Sequence, residues 1–159
     1  VGSSDIAYVQ VEAVLAQCDL FLNEGAALQE KTQKAQKSWA QKEQNLQAEA
    51  AQLQEKYQKG LITTNDAQAQ QQSIEKRVAS YQSSAQKEAQ ALDEENYVFT
   101  NRAQDLLHRA VQEINGDKKY KLIINATALI DADSTLDITP AVLAKVNELY
   151  AADKKAVKK

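Results

Sequence analysis

The small and apolar positions in the middle of the chain repeat with the period of a helix. From Gly25 to Ile114 they recur in steps of three, four and seven, and Gln, Lys, Glu and Ala fill the positions between them. The repeating positions are Leu28, Thr32, Ala35, Trp39, Leu46, Ala50, Leu53 and Tyr57, and then Ala67, Ile74, Val78, Tyr81, Ala85, Leu92, Phe99, Ala103, Leu106 and Ala110. This spacing predicts two long helices packed along one seam.

A break at residues 60–66 separates the two runs. It begins with Gly60, a residue type that often ends helices, and it contains Thr and Asn residues that can cap the next helix. We therefore expect one helix over about residues 26–59 and a second over about residues 64–114. The two helices would fold back on each other, with the tip of the hairpin near residues 60–66.

The seam between these helices is poor in its outer half. Folding the chain about the tip pairs Leu46 with Val78, but Gln71 and Glu88 occupy positions where a strong coiled coil has Leu or Ile. Toward residue 114 the apolar positions become larger and more frequent. We expect a marginal, flexible outer hairpin and core-quality packing only near its base.

Both ends of the chain contain short segments typical of β-strands. Residues 5–11 and 120–125 are rich in β-branched and aromatic side chains, and a further apolar run follows at residues 128–130. We expect three short strands, one from the far end of the sequence, in a small sheet. The exposed edges of such a sheet are usually completed by a neighbour.

Two short helices are expected beside these strands. Residues 12–22 form an amphipathic helix or turn, which Asn23 and Gly25 separate from the long helix. Residues 141–150 form a second helix, for which Thr139 is the expected N-cap, and the lysine-rich tail after it is expected to fray.

Composition supports one mainly helical domain. Of 159 residues 43% are apolar, and only four are Gly and one is Pro, which leaves little room for an all-β fold or a loop-rich enzyme. No apolar run approaches the roughly 20 residues that span a membrane. The sequence begins Val-Gly-Ser-Ser without Met, which is compatible with a removed signal peptide or with an expression-tag remnant.

Charge is distributed unevenly along the chain. Residues 29–87 contain nine Lys or Arg and six Asp or Glu, a balance of +3, whereas the rest of the chain carries −6. The hairpin is therefore predicted to be mildly basic along its outer length, although ordinary solvated helix faces explain the same counts. Nucleic-acid binding requires denser basic clusters and is not expected.

Residues for catalysis or cofactor binding are not grouped in any recognisable pattern. His108 is the only histidine, Ser83 and Ser84 have no nearby base, and Glu94-Glu95 lacks a His or Cys partner for a metal. No enzyme activity, cofactor or metal is expected. Cys18 is the only cysteine, and its apolar neighbours favour buried packing over a reactive role.

The order of elements resembles the Skp/OmpH family of periplasmic chaperones. The residues that carry the resemblance are Ile6-Ala7-Tyr8-Val9, Tyr120 to Asn125 with Ala128-Leu129-Ile130, and Asp137-Ile138-Thr139 followed by Val142, Leu143 and Val146. It implies an α+β fold that is mainly α, in which a long antiparallel helical hairpin, or tentacle, is inserted between short strands. Three chains would join these strands into a trimeric β-barrel body.

The resemblance also assigns roles to the two parts of the chain. Residues 1–25 and 115–159, with the end of the returning helix at about 99–114, form the body and trimerisation region, and residues 26–114 form the tentacle. The candidate residues of the trimer body are Ile6, Tyr8, Val9, Leu122, Ile123, Ile124, Leu129 and Ile130.

The function implied is ATP-independent holding of unfolded outer-membrane β-barrel proteins in a cavity between the tentacles. The chain would act in the periplasm after removal of a signal peptide, and any contact with the membrane would be indirect. Sparse apolar side chains and mild positive charge would hold the client weakly at many points. The candidate client contacts are Leu46, Leu53, Tyr57, Leu61, Ile62, Ile74, Val78, Tyr81, Lys56, Lys59, Lys76, Arg77 and Lys87.

Two alternatives stand beside this interpretation. Packing within the hairpin itself accounts for many of the apolar candidates, and Leu61 and Ile62 at the tip have least to be buried against. A structural coiled-coil adaptor or tether that docks a defined partner has the same sequence features as a chaperone of this kind.

Overall fold

The computed structural model describes residues 5–157 and is mainly helical, with one small sheet and a long helical hairpin. This confirms the predicted fold class. The elements, in chain order, are β1 (Ile6–Val9), α1 (Val11–Gln17), a π-helical turn (Phe21–Gly25), α2 (Ala26–Gln58), α3 (Thr64–Ile114), β2 (Leu122–Asn125), two 3₁₀ turns (Ala126–Ala128 and Ser134–Leu136) and α4 (Thr139–Val157).

The chain divides into two compact units. The hairpin unit is Gln29–Asn96, and the body unit comprises the described residues 5–28 and 97–157. The role in trimerisation predicted for the body stays a prediction.

The tip of the hairpin is formed by local hydrogen bonds that the sequence encodes. Gly60 has a φ of 72°, and the amides of Gly60 and Leu61 donate to the carbonyls of Tyr57 and Lys56 (3.1 and 2.9 Å), a Schellman motif that ends α2. Thr63 then caps α3, since its hydroxyl accepts from the amide of Asp66 at 3.1 Å. The predicted helix stop and cap are both present.

The sheet has two strands, not three. β1 pairs in parallel with β2, with Ile6 opposite Leu122 and Val9 opposite Asn125. The third strand predicted at residues 128–130 is wrong, because the side chain of Asn125 accepts from the amide of Thr127 at 3.2 Å and turns the chain into a 3₁₀ turn. An isolated bridge joins the other side of β1, at Tyr8, to Asp137.

The body unit has a single apolar core built from α1, α4 and the last turns of α3. The largest side chains that are fully buried in it are Leu20, Val9, Val14, Val142, Val146 and Cys18. Leu106 and Ala110 of α3 and Leu149 and Tyr150 of α4 also belong to this cluster. Cys18 is 1% exposed, as its apolar neighbours predicted.

The segment before α2 is a helical turn, whereas the sequence predicted a break there. The π-helical turn leads directly into α2 and leaves Leu22 57% exposed. Gly25 is buried. A Cβ at this position would meet the rings of Phe21 and Phe99 at 2.9 and 3.0 Å, so the glycine permits close packing and does not interrupt the helix.

The last helix is longer than predicted. α4 begins at Thr139, and the Thr139 hydroxyl accepts from the backbone amide of Gln10 at 2.9 Å, which ties α4 to the end of β1. The predicted N-cap role of Thr139 is therefore wrong. The helix continues to Val157 and does not fray after Tyr150; Lys158 and Lys159 lie outside the described residues.

Candidate functional site

The hairpin unit buries little of its own apolar surface. Over residues 29–96, all of which the structure describes, the buried side chains are Ala35, Leu53, Ile74 and Leu92. The other positions of the repeating small and apolar pattern, which we call the stripe positions, are half-buried or exposed. Burial of a Leu or Ile stabilises a fold by about 1.5–3 kcal/mol, so this seam supplies only a few such contributions over its full length.

Polar contacts occupy part of the seam. The indole N–H of Trp39 donates to the Glu88 carboxylate at 2.9 Å, and the Tyr81 hydroxyl donates to the backbone carbonyl of Trp39 at 3.0 Å. Glu88 therefore occupies a stripe position as the acceptor for an indole. The pairing agrees with the predicted register, because a fold about the tip that pairs Leu46 with Val78 also places Trp39 near Ala85.

Ion pairs use several charges of the hairpin unit. Arg77 makes two hydrogen bonds to Glu49, at 2.8 and 2.6 Å, which lower the pKa of Glu49. Lys59 pairs with Glu55 of the same helix at 2.6 Å. Among the described residues, the predicted basic contacts that have no ion pair are Lys56, Lys76 and Lys87.

The positive balance of the hairpin depends on where the unit ends. Over residues 29–87 the balance is +3, but the whole unit, Gln29–Asn96, has nine basic and ten acidic residues and a balance of −1. The added charges are Glu88 and the acidic group at residues 93–95. The unit is thus basic only in its outer part.

The predicted client contacts differ in their exposure. The exposed ones are Tyr57, Leu61, Lys56, Lys59, Lys76, Arg77 and Lys87. The half-buried ones are Leu46, Ile62, Val78 and Tyr81. Leu53 and Ile74 are only 6% and 5% exposed, so packing within the hairpin covers most of both side chains. Leu61, at 69% exposure, is the most open apolar side chain of the tip.

A groove runs along the outer half of the hairpin, between α2 and α3. It encloses about 690 Å³, and its lining residues are Gln47, Ala50, Ala51, Leu53, Gln54, Tyr57, Thr64, Ala67, Gln68 and Gln71. Of this set, only Leu53 and Tyr57 are among the predicted client contacts. The missed signal is the combination of Ala in both helices with Gln beside it, which leaves a gap in the seam that amide side chains border. We call these ten residues the distal groove.

The sheet of the body leaves apolar side chains open. Ile6 and Leu122, which are partners across the two strands, are 45% and 51% exposed, and Ile130 is fully exposed. Among the described residues, β2 is hydrogen-bonded to a strand on one side only. The half-buried trimer candidates are Tyr8, Ile123, Ile124 and Leu129. Val9, at 2% exposure, belongs to the core of its own chain and is not available to a partner.

Charged side chains connect three helical segments of the body unit. Glu24 accepts two hydrogen bonds from Arg102, at 2.6 and 3.3 Å, and one from the hydroxyl of Tyr150 at 2.7 Å. Arg109 donates to both carboxylate oxygens of Asp153, at 2.9 and 3.2 Å. The hydrogen bonds from Arg102 lower the pKa of Glu24, and those from Arg109 lower the pKa of Asp153. We call these five residues the body clasp.

The comparison with known families identifies the chain. Residues 5–146 match the family described as outer membrane protein (OmpH-like). The chain belongs to the OmpH-like family. Its fold is similar to the crystal structure of "a putative outer membrane chaperone (OmpH-like)" from Caulobacter crescentus CB15, with 17% identity, a TM-score of 0.77, and coverage of 94% of this chain and 87% of that one. At this identity the likeness shows a shared fold. No protein with a curated description matches the chain.

Membership of the OmpH-like family confirms the resemblance inferred from the terminal segments. The family is not one of enzymes, in agreement with the prediction that the chain is not an enzyme. Between residues 5 and 157, no helix has the length and hydropathy needed to cross a membrane. In the same part of the chain, no group of three or more His, Cys, Asp or Glu side chains is placed to hold a metal ion.

Proposed function

We propose that this OmpH-like chain is an ATP-independent holdase chaperone that binds unfolded outer-membrane β-barrel proteins in the periplasm. The observation that carries the proposal is the weak seam of the hairpin unit, in which four residues are buried over 68 positions. A hairpin that only spaced two partners would gain stability from a continuous apolar seam. A surface that leaves apolar side chains partly open is suited to contacting other chains.

We further propose that the chain works as a homotrimer whose strands form a β-barrel body and whose hairpins enclose the client. Two parallel strands with an apolar open face make an incomplete sheet, because parallel sheets are normally covered on both faces. The exposed side chains of Ile6, Leu122 and Ile130, together with the free edge of β2, support completion by further copies of the same chain.

Weak contact at many points explains how such a chaperone holds and releases a client without ATP. Each exposed apolar or basic side chain contributes little, but several hairpins acting together raise the effective concentration of contacts. Leu61, Tyr57 and the unpaired Lys56, Lys76 and Lys87 supply these contacts in the proposal. Aggregation of the client is prevented because its apolar segments and strand edges are kept from one another.

The proposal is tested by diluting a urea-denatured outer-membrane β-barrel protein from denaturant with and without the chain, and following light scattering. We expect scattering to be suppressed at one trimer per client, in the absence of ATP. Unchanged scattering at that ratio contradicts the holdase function and favours an adaptor or tether, which would bind a defined folded partner.

The role of the tip is tested in the same assay with Leu61 and Ile62 both replaced by Ser. Leu61 is exposed, so the double variant should retain its fold and mass while about severalfold more protein is needed for the same suppression. Val157→Ser, which removes an 86% exposed apolar side chain from the end of α4, is the matched control and should act like the unchanged protein. Equal activity of both variants would remove the tip from the mechanism.

A further inference from the structure

We propose that the distal groove binds a short, extended, uncharged peptide segment that carries aliphatic or aromatic side chains. This inference deepens the proposed chaperone function and rests on it, because such a segment would be part of an unfolded client. The observations that lead to it are the shape of the groove floor, the state of the amides around it and the absence of charge.

The floor of the groove is apolar and has space above it. Leu53 is buried, and Ala50 and Ala67 are half-buried. The methyl groups of the two alanines are too small to fill the gap between the helices. The ring of Tyr57, at 50% exposure, forms one end of the groove. An aliphatic or aromatic side chain placed here would cover apolar surface that the hairpin itself leaves open.

The rim of the groove consists of unused amides. In the part of the chain that the structure describes, the side chains of Gln47, Gln54 and Gln68 make no hydrogen bond to another protein group, and Gln71 donates one, to Glu75 at 3.2 Å. A Gln side chain has a carbonyl acceptor and an NH₂ group with two donor hydrogens. It can therefore pair with both the N–H and the C=O of a peptide backbone. An extended peptide leaves both kinds of group unpaired and can therefore bond to this rim.

Charge complementarity favours an uncharged occupant. None of the ten lining residues is charged. Of the ionic side chains nearby, Arg77 pairs with Glu49 and Lys59 with Glu55, whereas Lys56 has no ion pair but does not line the groove. An acidic or basic segment would find no partner in the groove and would lose hydration on entering it.

The length of the groove sets the length of the segment. Along α2 the lining residues extend from Gln47 to Tyr57, which is about 15 Å at the rise of an α-helix. An extended chain covers the same distance with roughly four or five residues. The structure thus assigns a recognition unit of about that length, with side chains facing the floor at alternate positions.

The test uses the full chain and a fluorescein-labelled, acetylated and amidated hexapeptide in which Leu and Tyr alternate with Thr, followed by fluorescence anisotropy. We expect saturable binding that does not weaken when the NaCl concentration is raised, because no ion pair contributes. Replacing Thr by Asp in the peptide should weaken binding. Stronger binding of the Asp peptide, or loss of binding in salt, would overturn the proposal.

Filling the floor provides the first variant. Ala67→Leu should raise the Kd for the peptide about tenfold because it occupies the groove, and it should leave the melting temperature equal or higher because it adds to the seam. Ala85→Leu makes the same change at a half-buried stripe position outside the groove and is the control. Equal effects of the two substitutions on the Kd contradict the assignment.

Variants of the rim keep the test independent of changes in the seam. Gln54→Ala and Gln68→Ala should each raise the Kd for the peptide about threefold to tenfold, since each removes a hydrogen bond, whereas the exposed Gln86→Ala outside the groove should not. If Ala67→Leu changes the mass of the particle in light scattering, the groove is occupied by a second copy of this chain and the peptide proposal fails.

The peptide assay and the aggregation assay separate this inference from the function on which it rests. If Ala67→Leu and Gln54→Ala suppress client aggregation as well as the unchanged chain does, and the peptide does not bind, the groove is refuted and the holdase function stands. Peptide binding with the expected variant effects, but without suppression of aggregation, would refute the holdase function and support the groove.

Discussion

Gly25 lies under two phenylalanine rings, and no other residue type fits there without movement. The nearest ring carbons of Phe21 and Phe99 would stand 2.9 and 3.0 Å from an added Cβ, closer than carbon atoms normally approach. The two ring centroids are 6.4 Å apart, so displacement of one ring also disturbs the other. Close packing of the two phenylalanine rings against position 25 therefore explains why this helical turn has a glycine there.

Gly25→Ala should lower the free energy of unfolding by about 1–3 kcal/mol, the usual cost of forcing extra volume into a packed site. Thermal unfolding followed by circular dichroism measures this change. The matched control is Phe99→Leu, which removes one of the opposing rings. In the Phe99→Leu background the alanine should cost less, and equal costs in both backgrounds would show that the rings are not the cause.

At the scale of elements, the body clasp joins the π-helical turn, α3 and α4. Glu24 lies in the turn, Arg102 and Arg109 in α3, and Tyr150 and Asp153 in α4. The guanidinium groups lower the pKa of both carboxylates below their values in an unfolded chain. The clasp therefore favours the folded state most when both carboxylates are ionised.

This clasp predicts a dependence of stability on pH. A carboxyl whose folded-state pKa is lowered stabilises the fold above its unfolded pKa of about 4, and the contribution is lost as the pH falls through the folded-state value. We expect the melting temperature of the body to fall between neutral pH and about pH 3, as followed by circular dichroism. Glu24→Gln with Asp153→Asn should have a lower melting temperature at pH 7 and a flatter pH profile. Parallel profiles would contradict the role of the clasp.

The long elements were predictable from the sequence because local signals agree at their ends. The helices Ala26–Gln58 and Thr64–Ile114 follow the apolar period, and Gly60 and Thr63 form the stop and cap that their residue types favour. The strand expected at residues 128–130 failed because the Asn125 side chain bends the backbone there, a local hydrogen bond that outweighs an apolar run.

The candidate site was only partly predictable. Exposure of Leu61 follows from its position in a turn, but which stripe residues are buried depends on the partner helix, as Leu53 and Ile74 show. The distal groove was missed because small residues of both helices, Ala50 of α2 and Ala67 of α3, line one space only after the hairpin has folded. Such a gap belongs to a pair of helices and is not visible in either one.

At the scale of the whole molecule, the proposed trimer predicts a particle mass near three times the 17.6 kDa of one chain. Leu122→Asp should reduce this mass to that of the monomer at low concentration, because it places a charge on the open face of the sheet. Multi-angle light scattering measures both values. Val157→Asp, at another exposed apolar position, should leave the trimer intact, and a wild-type monomer would contradict the proposed assembly.

The parallel pairing of β1 with β2 has a consequence for the order in which the chain folds. The paired residues are 116 positions apart in sequence, so β1 is synthesised early and waits for a partner that comes late. The hairpin shortens that search, since its own folding brings Lys31 within 2.7 Å of Glu95, 64 positions further along. Until β2 arrives, the first strand of this proposed chaperone is itself an unpaired apolar segment, and the body is completed last.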